Sequence, residues 1–165
     1  MKNWVISENK EIVYKVGEFL IQITTIEHML ERIYSEFVGG IENKEKFSEM
    51  MLGNKIAELS KRIKLGGEEK TKTIKDWAND KRSVNLRTRL FIMKEFRNKI
   101  AHNALEYNPV DKLVYIEADE ITSDLEHHIL HVDDLLGDLH IVLINLKEPK
   151  MVNWKKVIRN HLISL

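Results

Sequence analysis

The sequence predicts an all-α fold, an antiparallel helical bundle of four to five helices, and three observations carry that prediction. Apolar residues recur every three or four positions through most of the chain, which places them on one face of a helix. Gly39-Gly40, Gly66-Gly67 and Pro149 punctuate these periodic segments, as expected where helices are joined by short connectors. One run alone, Leu113-Val114-Tyr115-Ile116, has an extended character. A single strand cannot build a sheet, so it reads as irregular or as half of a small hairpin.

Taken in order, Ile12, Val16, Phe19, Leu20, Ile23, Ile26, Leu30, Ile33 and Phe37 form the stripe of one long helix from about Ser7 to Val38. Ser7 is its expected N-cap and Gly39-Gly40 its stop. Glu27 beside His28 reads as part of the solvated flank. After a polar connector, Leu52, Ile56, Leu59 and Ile63 mark a shorter helix decorated by Lys55, Lys61, Arg62 and Lys64 and ended by Gly66-Gly67. A third helical region spans about Glu69 to His102, with a break near Asp80 to Ser83. Its second half buries Leu86, Leu90, Met93, Phe96 and Ile100, and Asn103 suits its end. Asn108-Pro109 signals a turn. Ser123-Asp124-Leu125-Glu126 has the form of a capping box opening a helix that Pro149 bounds. A last amphipathic segment carries Trp154, Val157, Ile158, Leu162 and Leu165.

At 165 residues, 43% hydrophobic and 32% charged, the chain fits a single domain over 1–165 with a real core. The absence of cysteine excludes disulfides and thiolate metal sites and permits a reducing compartment. No run approaches the roughly 18 apolar residues of a membrane helix, and the start lacks the apolar core of a signal peptide. A cytoplasmic protein with no membrane partner is expected.

The net charge of zero conceals an uneven distribution. Residues 55 to 99 hold 14 Lys or Arg against 6 Asp or Glu, whereas residues 103 to 148 hold 2 against 11. A polyanion such as RNA would favour the basic region, unless the two regions pair with each other. Within it, Arg87, Arg89, Lys94 and Lys99 are the expected RNA-binding cations. Farther along, His127 and His131 are four apart on a helix with Asp124 and Asp134 nearby, a spacing that can hold a divalent metal. A closed site needs three or four converging ligands, so neither metal nor cofactor is expected.

The stretch Phe96-Arg97-Asn98-Lys99-Ile100-Ala101-His102-Asn103 joins a permanent cation, an amide and a titratable imidazole. Arginine grips phosphate with a fixed fork of donors, and histidine moves protons near neutral pH. The pair is a minimal kit for cleaving RNA, whose 2′-hydroxyl is its own nucleophile. In an ideal helix Arg97 and His102 stand about 140° apart and roughly 7.5 Å along the axis. The structural alternative is a helix end whose cations oppose the macrodipole.

At Arg97-Asn98-Lys99-Ile100-Ala101-His102 the sequence resembles the HEPN superfamily, helical domains of which many are ribonucleases. Their motif is Arg, four to six residues, then His, with a polar residue, often Asn, directly after the Arg. The resemblance also covers the long first helix and the motif's place near the end of a middle one. It implies a helical bundle that forms a homodimer, with two motifs composing one metal-independent endoribonuclease site. In that site Arg97 would hold the scissile phosphate, His102 would act as general base or acid, and Asn98 would orient either one. It further implies the toxin of a toxin–antitoxin pair or a phage-defence nuclease, with an antitoxin protein as a partner. Ala104 stands where some relatives carry a modifiable Tyr, so that regulation does not transfer. The alternative from another class is a catalytically silent HEPN-like module that binds a nucleotide or a protein.

Overall fold

A computed structural model of the chain describes residues 4–6, 10–63, 65–67, 69–70, 72–103, 105–108, 110 and 113–147. Ser7, Pro109, Pro149 and the segment from Trp154 to Leu165, singled out above, lie outside the described residues.

Among the described residues six α-helices dominate: α1 (Lys10–Val38), α2 (Ile41–Ser48), α3 (Leu52–Arg62), α4 (Ile74–Asn79), α5 (Leu86–Asn103) and α6 (Ala118–Lys147). One buried apolar cluster draws on all of them, through Phe19, Phe47, Ile56, Trp77, Leu90 and Leu139 among others. None of these helices is long and apolar enough to cross a membrane.

The helical bundle is as the periodicity requires, but three features correct the finer reading. First, the polar connector after α1 contains α2, because Phe47 supplies an anchor: it is buried and stacks on Tyr34 with ring centroids 4.0 Å apart. That raises the helix count above five. Second, the bundle is not simply antiparallel. Lys15 donates to Glu126 at 2.6 Å and Gln22 to Asp133 at 3.3 Å, each pair separated by 111 positions, so α1 and α6 run in the same direction. In contrast, α5 opposes them, since Arg89 meets Asp138 and Phe96 meets His128.

Third, the extended run belongs to a sheet. Strands β1 (Trp4–Ile6), β2 (Leu105–Asn108) and β3 (Leu113–Glu117) form an antiparallel sheet in the order β1-β3-β2. The hairpin β2-β3 was one of the two options legible in the sequence. The third strand comes from far away in the chain, where a run of three residues gives no periodic signal. Helix α6 follows β3 directly and begins at Ala118, upstream of Ser123, so the Ser-x-x-Glu sequence does not mark its start.

The break foreseen near Asp80 to Ser83 is present as a short 3-10 turn, Lys81–Ser83, between α4 and α5. Thr73 caps α4 through a reciprocal box with Asp76. Helix α5 is capped by Asn85, whose Oδ1 accepts from the Thr88 N–H at 2.9 Å, satisfying one of the free donors of the first turn. The loop before α4 folds over this cap: Asn85 Nδ2 donates to Gly67 O and to the Glu69 carboxylate, both at 2.8 Å. Gly66, at φ +105°, allows that closure, for a Cβ there would sit 2.4 Å from Asn85 Cγ.

Two buried cations of the basic region are paired, Arg89 with the acidic region and Lys55 with α1. Arg89 is 0% exposed and its guanidinium donates to Asp138 at 2.6 Å, with Trp77 beneath it at 5.5 Å. Lys55 is not surface decoration: it is 2% exposed and lies 2.6 Å from Glu31 and 3.6 Å from Glu27. Glu27, expected on the solvated flank, therefore faces a buried cation.

Candidate active site

Arg97, Asn98 and His102 all lie in the last turns of α5, which runs through to Asn103. The helix thus does not end before His102, and the full helical rotation between Arg97 and His102 applies. His102 falls within about 20° of Phe91 and Glu95, and Arg97 within about 20° of buried Leu90. Their side chains leave the helix about 140° apart. His102 is exposed, while Arg97 and Asn98 are half-buried. The Arg97 guanidinium donates to Asn98 Oδ1 at 3.1 Å, so the arginine and the amide beside it form one polar unit.

The electrostatics of this helix end cut both ways. A helix C-terminus carries about half a negative charge from its free carbonyls, which favours a cation such as Lys99 and opposes a phosphate. Any anion bound there must therefore be held by side chains. Among the described residues, Arg97 and Lys99 are cations of the last turns of α5.

The four cations expected to face RNA separate into different surroundings. Lys99 is half-buried on the side of α5 that carries Glu95. Lys94 pairs with Glu95 and lies 5.5 Å from the Phe91 ring, and Arg87 lies 5.7 Å from the same ring. These two frame an aromatic side chain, an arrangement that attracts cations to the ring face. Arg89 is sealed in the core on Asp138, which removes it from any solvent-facing set.

The face of α5 that ends in His102 also forms one wall of an open groove of about 560 Å³ between the loop before α4, α5 and α6. Its apolar floor contains Phe91 and Phe96, and Lys70, Lys72 and Lys99 stand along it. Phe96 stacks on His128 with centroids 3.7 Å apart and 11° between the planes, and Phe19 meets Phe96 edge-on at 5.1 Å. His128 Nδ1 lies 2.7 Å from the Asp124 carbonyl oxygen. Burial pushes this imidazole down to about 4, outweighing the Asp124 carbonyl and carboxylate, which pull the other way.

Of the remaining histidines, His127 is exposed and His131 lies against Trp77, 5.1 Å between centroids, with Asp134 3.8 Å away. Burial lowers its affinity for a proton as well. No group of three or more His, Asp or Glu side chains gathers as metal ligands among the described residues.

Two residues of this region were missed in the sequence, and one of them gave a usable signal. Asn85 precedes an apolar periodic run, as an N-cap does. His128 lies in the histidine-rich run, but its pairing with Phe96 comes from another helix and leaves no trace in spacing. No family model matches the chain, and neither does any curated protein or any solved structure.

Proposed function

We propose that the chain is a metal-independent endoribonuclease that acts as a homodimer, with Arg97, Asn98 and His102 as its working residues. The observation that carries this reading is the intact trio at one end of a basic helix, with His102 exposed and Arg97 bonded to Asn98. Groups that diverge by about 140° on one helix serve a common phosphate when a second copy is turned about a two-fold axis beside the end of α5. Such an axis makes a self-complementary contact and brings the Arg97 of one copy toward the partner's His102. The second copy also doubles the positive charge available against the helix macrodipole.

In this reading one His102 takes the proton of the 2′-hydroxyl as the oxygen attacks phosphorus. The 5′-oxygen leaves with a proton from the partner's His102, and a 2′,3′-cyclic phosphate remains. Arg97 holds the non-bridging oxygens and stabilises the charge that develops on them. A toxin of a toxin–antitoxin pair or a phage-defence nuclease would use such a site, with an antitoxin protein to hold it in check.

The test is incubation of purified protein with structured and single-stranded RNA in EDTA, beside Arg97→Ala and His102→Ala. Cyclic-phosphate ends from the parent protein and near silence from both variants are expected. Cleavage that persists in the variants, or that EDTA abolishes in the parent, overturns the mechanism. A catalytically silent nucleotide- or protein-binding module is the second reading, favoured by the half-buried Arg97 being turned onto Asn98. It predicts no cleavage under any of these conditions.

A further inference from the structure

The groove beside α5 has the size, the floor and the charge of a nucleotide subsite. Its volume of about 560 Å³ lies within the usual range of small-molecule pockets. Phe91, Ile92 and Phe96 give an apolar surface for a flat ring. Lys70, Lys72 and Lys99 supply positive charge at its margin, while two of the neighbouring acids are already engaged: Glu69 by Asn85 and Glu95 by Lys94. The third acid, Asp124, lines the groove beside His128, and these two with Thr88 are polar side chains of its inner wall. A carbonyl oxygen can only accept, so the contact to Asp124 fixes the proton on Nδ1. Nε2 of the uncharged ring then keeps its lone pair and can accept one hydrogen bond from a ligand.

We propose that this groove binds one nucleotide, its base against the apolar floor with an N–H donated to His128 Nε2, and its phosphate at Lys72 and Lys99. Lys99 and His102 lie on the same side of α5, about 60° and 4.5 Å apart along the axis. A nucleotide seated here therefore leads its phosphate toward His102. The inference rests on the RNA-cleaving reading only for that last placement. The groove would hold a free nucleoside phosphate by the same chemistry.

The experiment measures equilibrium binding by calorimetry to the full chain in the His102→Ala background, so that no probe is consumed. The probes are adenosine 3′-monophosphate, adenosine, inorganic phosphate and a 2′-O-methyl oligoadenylate. His128→Phe keeps a ring on Phe96 and removes the acceptor, and is expected to weaken the monophosphate about tenfold. Lys72→Ala with Lys99→Ala, both at the margin, should weaken it by a similar factor while leaving adenosine binding nearly unchanged. Tighter binding of the oligonucleotide assigns the groove to an RNA strand, and equal binding assigns it to free nucleotides. No binding of either, binding of phosphate as strong as that of the nucleotide, or full affinity in His128→Phe overturns the proposal. Absence of RNA cleavage by the parent protein alongside intact nucleotide binding would sink the nuclease reading and leave the subsite standing.

Discussion

Arg89 and Arg97 lie about two turns apart on α5 and meet opposite surroundings. Arg89 is wholly buried, bonded to Asp138 and backed by Trp77. Arg97 is half-buried near the helix end, and its hydrogen-bond partner is the neighbouring Asn98. The first half of α5 is thus locked to α6 by a charge pair in the core, whereas the last turns end in an exposed imidazole. The contrast teaches that positive charge along a helix is not one property. Its inner part is a buried tie between elements, and its outer part lies half-buried near the helix end.

The sharpest way to break this division is to exchange the expected effects of the two halves. His102→Ala should lower RNA cleavage by about 10²–10⁴ and move unfolding stability by no more than about 0.5 kcal/mol, as for other exposed positions. A stability loss that matched the activity loss would make the end of α5 structural. Arg89→Ala should do the reverse, costing about 3–5 kcal/mol because buried Asp138 would lose its hydrogen-bonded partner and keep only the longer 3.7 Å contact to Lys81. Urea unfolding reads this, and a loss below about 1 kcal/mol would show that the pair is not a tie.

Acid tests the region where α5 and α6 meet. Between pH 6.5 and about 4 the unfolded chain protonates a histidine that the folded chain keeps neutral at His128. The unfolded state binds more protons there, so stability is complete above pH 6.5 and falls as pH drops toward 4, by about 3 kcal/mol from this group. His128→Phe should lack that part of the slope, which parallel unfolding curves at pH 4 and 7 will measure. The smallest expected effect belongs to the start of α5. Asn85→Ala removes the cap on Thr88 N–H and should cost about 1 kcal/mol in thermal or chemical unfolding, with cleavage preserved at the far end.

Much of this architecture was legible because helices write a local code. The α1 stripe from Ile12 to Phe37, the break near Asp80, the buried face of α5 and its end at Asn103 all follow from neighbours three or four positions apart. What escaped were features that depend on a single anchor or a distant partner. Phe47 makes α2 by stacking on Tyr34, β1 exists by pairing with β3, and Lys55 is buried because α1 places Glu27 and Glu31 against it. The same limit applied to the candidate site: the trio on α5 and its divergence of about 140° could be read from the sequence, but not the half-buried setting of Arg97 or its bond to Asn98.

By itself, then, the sequence determined the helical segments, the apolar faces that they must bury and which residues stand together as candidates for a site. Only the tertiary structure decided that α1 and α6 run parallel, that Arg89 belongs to the core and that His128 faces a groove beside Lys99. The physical reason is that periodicity acts through the chain over a turn or two, whereas burial, desolvation and ion pairing are set by elements that meet from far apart in it.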